Sequence, residues 1–89
     1  MDDSAKSVDV ISVFSADGNI KPLRVQFLDD SRQMIRMNSE SVIKCENIAI
    51  VGAEAMIFQC KANLWGQKCI FELKYSIRGH NWSLLRRLH

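Results

Sequence analysis

Apolar and polar positions alternate with a period of two through most of this chain, which is the pattern of half-buried β-strands. Residues 8–14 (VDVISVF) are rich in β-branched side chains, and Asp17-Gly18 in the following SADGN is a strong hairpin signal. Residues 20–28 place Leu23, Val25 and Phe27 on one face and Arg24 and Gln26 on the other. Pro22 has no N–H to give to a ladder, so this end of the strand is expected at a sheet edge or a bulge. Residues 29–31 (DDS) make the next turn. A three-residue loop sets Val25 against Ile35 and Leu23 against Met37, apolar on apolar. A two-residue loop sets Val25 against Met34 and Leu23 against Arg36, and is the poorer match.

Residues 38–55 break the alternation. NSES reads as a turn or a helix cap, and Gly52 marks a break. Val42, Cys45 and Ala49 follow helical spacing, so a short helical turn within residues 39–50 competes with a short strand over residues 42–45. The period of two then returns. Residues 56–65 form a strand, Gly66-Gln67 the turn, residues 68–75 the return strand, IRGHN another turn and residues 82–87 the last strand. The expected fold is all-β, a small partly open antiparallel barrel of five to six strands. Residues 1–7 are expected to be a disordered N-terminal segment, and residues 8–89 a single β-barrel domain.

A turn at Gly66-Gln67 pairs Leu64 with Cys69, Ala62 with Phe71 and Cys60 with Leu73. Met56, Phe58, Cys60, Ala62 and Leu64 then share a face with Cys69, Phe71, Leu73 and Tyr75. That set is apolar throughout and faces the core. Cys60 lies four residues along from the position opposite Cys69, roughly 13 Å away at the rise of a strand. A disulfide needs Cα atoms within about 7 Å. No CxxC or HxxxH spacing suggests zinc. The two cysteines are expected as buried free thiols, with no metal and no cofactor.

Composition narrows the function. The chain has 89 residues, 47% hydrophobic and 25% charged, which suits one globular domain. Its net charge of +2 gives no strong global field. The charge is uneven, however: residues 1–30 carry six acids and three bases, residues 61–89 six bases and the single acid Glu72. No apolar run reaches the roughly 18–20 residues of a membrane span. MDDSAKS is not the basic start of a signal peptide, and three cysteines at irregular spacing are not a disulfide framework. The expected location is cytoplasmic.

No nucleophile, base and orienting group assemble, and there is no Gly-rich phosphate loop. Asp17, Asp29 and Asp30 sit in expected turns, and so does His80. An enzyme built on the Asp29-Asp30 loop or on His80 is the weakest reading, and the chain is expected not to be an enzyme. Lys61 and Glu72 are expected as a cross-strand surface pair. Trp65 has outward parity beside Lys61 and Lys68, with Lys74 further along the same face. A basic face around Trp65 resembles the way small barrels stack single-stranded nucleic acid on aromatic side chains. Against it stand the single exposed aromatic and Glu72 in the middle of the patch.

VISVFSADGNIKPLRVQF, followed by MIFQCKANLWGQKCIFELKYSIRGHNWSLL, resembles a group of short, uncharacterised bacterial proteins. In that group a D-G-x-I-x-P-L/I turn and strand follow an opening strand, and a terminal W-x-L follows a late hairpin. The resemblance spans most of residues 8–85. It implies a small β-barrel and carries no functional residue with it. The expected function is a non-catalytic binding or protein-interaction module, with a protein partner or self-association ahead of single-stranded nucleic acid.

Overall fold

The computed structural model describes residues 5–50 and 52–88. Six strands follow in chain order: β1 (Lys6–Phe14), β2 (Ile20–Leu28), β3 (Met34–Ile50), β4 (Ala53–Leu64), β5 (Gln67–Ser76) and β6 (Asn81–Arg87). Each is antiparallel to the next, and β1 pairs with β6 to close the barrel. Residues 1–4, most of the expected disordered lead, lie outside the described residues. Lys6 and Ser7 are not part of a lead. They belong to β1 and pair with Leu84 and Ser83.

Pro22 sits at a bulge, as its missing N–H requires. Ile11 pairs with Arg24 and Ser12 with Pro22, which leaves Leu23 as the extra residue. The bulge exchanges the two faces. Pro22 turns inward and is buried, while Leu23, expected on the core face with Val25, is 36% exposed. Val25 and Phe27 keep their inward positions.

Two hairpins are in a register two residues from the expected one. The Asp29 carboxylate accepts the Ser31 and Gln33 N–H groups, each at 2.8 Å, and holds a loop longer than three residues. Val25 therefore pairs with Met37, and Phe27 with Ile35. Between β4 and β5 the chain reverses at Trp65-Gly66, so Leu64 pairs with Gln67, Ala62 with Cys69 and Cys60 with Phe71. Trp65 and Gly66 have φ of 52° and 80°, the left-handed pair that a type I′ turn needs. A slip of two keeps each side chain on its face, so the expected core survives the correction.

Residues 39–50 contain no helical turn. They continue β3, a strand of 17 residues. Its ladder with β4 shifts between Ser39 and Ser41 and again between Val42 and Lys44, so Glu40 and Ile43 are bulged residues. Bulges bend a strand and increase its twist. Pairing of β3 with β2 ends at Asn38, just ahead of the first bulge.

The core is one cluster: Val25, Ile35, Met37, Phe58, Cys60, Ala62, Cys69, Phe71, Leu73, Tyr75 and Trp82. Trp82 packs on Tyr75 and Phe58 with ring centroids 4.8 and 5.5 Å apart. Met56 and Leu64 are half-buried at its margin.

Candidate interaction site

From Ser39 onward β3 is bonded on one side only. Among the described residues this stretch pairs with β4 and with no other strand. Ile50 pairs with Ala53 at the end of the hairpin. The pair flanking a tight hairpin end exchanges both hydrogen bonds, and hydrogen-bonding direction alternates along an antiparallel strand. The N–H and C=O groups of Cys45, Asn47 and Ala49 therefore point away from β4. Beyond the bulge at Ile43 the ladder is regular, so these groups form an even row.

The side chains along this row are accessible. Lys44, Cys45, Glu46, Asn47 and Ala49 are exposed, and Ile43 is 48% exposed. Lys44 Nζ and Glu46 Oε1 form an ion pair at 3.0 Å. Such a pair at the surface contributes little stability. The Cys45 thiol is pushed above its usual value, first by partial burial and then by the Glu46 charge.

The basic and aromatic residues singled out in the sequence do not form one patch. Lys61 pairs with Ile70 and Lys68 with Asn63, and both lysines line an outer cavity of about 230 Å³ together with Glu40. Trp65 stands at the hairpin tip, 75% exposed, over the mouth of the barrel. There it borders a cavity of about 250 Å³ lined by Phe27, Ile35, Met37, Leu64, Phe71 and Leu84, with Asp29 and Arg87 at its edge. Lys74 pairs with Ile57 and Ser83. It is six residues from Lys68 on β5, about 20 Å at the rise of a strand. Glu72 lies opposite Gln59 and Arg86 rather than Lys61. Its carboxylate is held by both, so it is not a free negative charge.

Cys60 and Cys69 are buried free thiols, and Cys45 is an exposed one. Cys69 faces Ala62, and Cys60 is two residues along rather than four. The diagonal separation is about 7–8 Å, not 13 Å. Burial pushes the Cys60 thiol up to about 11, against a smaller lowering by Ser39. Ser39 Oγ is buried and lacks a partner of good geometry, so the thiol beside it is close enough to feel the hydroxyl but does not satisfy it. Among the described residues no three His, Cys, Asp or Glu side chains cluster as a metal would need. No helix of the described residues is long and apolar enough to cross a membrane.

The one-sided edge of β3 was not read from the sequence. Its signal was the loss of period-two alternation within a stretch still rich in Val and Ile. No protein-family model, curated protein or solved structure matches this chain.

Proposed function

We propose that this protein is a non-catalytic interaction module that takes up an extended segment of a protein partner along the outer edge of β3. The observation that carries the reading is the outward row of main-chain groups at Cys45, Asn47 and Ala49, left by a strand that pairs on one side only. Strand addition draws affinity from such a row and specificity from the side chains flanking it. Free thiols in all three cysteines fit a reducing compartment, and we place the protein in the cytoplasm. Asn47→Pro tests the reading. It removes an outward donor and leaves the β3–β4 hydrogen bonds in place. Amide exchange at Cys45, Asn47 and Ala49 is expected to be fast in the dilute isolated chain and slow in the complex recovered from the native host. Asn47→Pro is expected to abolish that complex while the barrel stays folded. A complex that survives the substitution with these amides still exchanging fast refutes strand addition.

Single-stranded nucleic acid is the second reading, favoured by Trp65. A tryptophan held exposed in a left-handed turn position is costly for stability alone. Lys68 and Lys61 would neutralise phosphates beside it, and Lys74 is too distant to join them. Fluorescence anisotropy across a salt series decides between the readings. No binding is expected at physiological salt. Micromolar binding that Trp65→Ala weakens about tenfold, the worth of one stacked base, would establish this reading instead.

A further inference from the structure

We infer that the segment taken up by β3 is β3 of a second copy, in an antiparallel two-fold register centred on Cys45. The inference rests on the strand-addition reading above and names its partner. A two-fold axis perpendicular to the joined sheet keeps paired residues on the same face, so the axis must pass beside a single residue paired with its own copy. That leaves few registers. Centring on Lys44 or Glu46 sets like charges directly opposite, and Ile43 is itself a bulged residue with no regular pair to centre on. Centring on Asn47 sets Glu46 against Ile48, a charge on an apolar side chain. Centring on Val42 runs the whole pairing through both bulges.

Centring on Cys45 removes these conflicts. Lys44 faces the second copy's Glu46, and Glu46 its Lys44. Because Lys44 and Glu46 already pair within one strand at 3.0 Å, the four charges form a square of alternating sign. The bulge at Ile43 limits the regular part of this pairing to residues 44–46 of each copy. Cys45 has outward main-chain groups, so it meets its own copy as a hydrogen-bonded pair with Cα atoms about 5.5 Å apart. That lies within the range a disulfide spans, although the interface does not require one. The ladder is short, so the association is weak and reversible.

Sedimentation equilibrium in reductant, with amide exchange, tests the inference. A concentration-dependent dimer is expected, with protection rising at Cys45. Lys44→Glu places like charges opposite one another at two places and is expected to weaken the dimer about tenfold. Adding Glu46→Lys to it reverses both signs and is expected to restore the dimer. Diamide is expected to link the copies through Cys45 alone, as peptide mapping will show, and Cys45→Ser to prevent this. A chain that stays monomeric at high micromolar concentration and yields no Cys45 link overturns self-pairing. If its host complex is still lost with Asn47→Pro, strand addition stands with a different partner. A dimer indifferent to Asn47→Pro and to both charge variants overturns the inference and the reading beneath it.

Discussion

Arg86 Nε donates to Glu72 Oε1 at 2.8 Å across β5 and β6, and this contact covers a carboxylate on the outer wall of the barrel. Gln59 Nε2 donates to the other oxygen at 3.1 Å from β4. Three adjacent strands are thereby tied on their outer face. Burial alone would raise the Glu72 pKa, but the bonds from Gln59 and Arg86 and the Arg86 charge outweigh it and leave the carboxyl below its ordinary value.

The contact gives a pH dependence. A carboxyl with a folded pKa below its unfolded one adds stability above the unfolded value, near 4.5, and the gain is lost as pH falls through the folded value. Urea midpoints of the wild type and Glu72→Gln are expected to differ most at neutral pH and to converge in acid. A gap that stays constant down to pH 2–3 would show that the charge of Glu72 does not contribute.

Val25 is fully buried opposite Met37, while its neighbour Arg24 is exposed and donates to Asn38 Oδ1 at 3.0 Å. Val25→Asp places a carboxyl in the core without a partner and is expected to cost about 3–5 kcal/mol. Arg24→Asp is expected to cost about 1 kcal/mol or less. Similar urea midpoints for the two variants would refute the inward face of β2.

The thiols are expected to separate by accessibility. In the native protein Ellman's reagent should modify Cys45 quickly and leave Cys60 and Cys69 untouched, and in denaturant all three should react. Burial raises the Cys60 pKa to about 11, which leaves almost no thiolate at neutral pH while the barrel is closed. Rapid modification of two or more thiols in the native state would contradict the packing of β4 against β5.

Trp65 occupies the first central position of its turn with φ of 52°, where asparagine is much better suited. Because it is 75% exposed, it recovers little by burial. Trp65→Asn is expected to raise stability by about 1 kcal/mol. A loss of stability would mean that the indole contributes packing at the barrel mouth that outweighs its backbone strain.

The strands and their faces were legible in the sequence because period-two patterning encodes which way a side chain points. Registers were not, since a slip of two leaves that pattern unchanged. The missing information lay in turn chemistry. Gly66 favours the second central position of a type I′ turn, which moves the reversal to Trp65-Gly66, and the Asp29 carboxylate lengthens its loop by capturing two N–H groups. The helical spacing of Val42, Cys45 and Ala49 has a different origin. The bulge at Ile43 adds one residue between Val42 and Cys45, so same-face positions fall three apart there and two apart beyond it. A bulged strand thus imitates a helix. The candidate site was hidden for the same reason, since the bulges that obscure the pattern also release β3 from β2. The exposed Trp65 was legible, but its position over the barrel mouth depended on the turn.

Five of the six strand pairings join neighbours in the chain. The sixth, β1 with β6, rests on Lys6, Ser7 and Val8 facing Leu84, Ser83 and Trp82. Hairpins between neighbours close short loops and form early, whereas this seam must bring together the two ends of the domain. The barrel should therefore assemble as a curling ribbon whose last event is the docking of β1 on β6. The same seam is where the folded ring should breathe first, with Lys6 to Val8 exchanging their amide hydrogens ahead of β4 and β5.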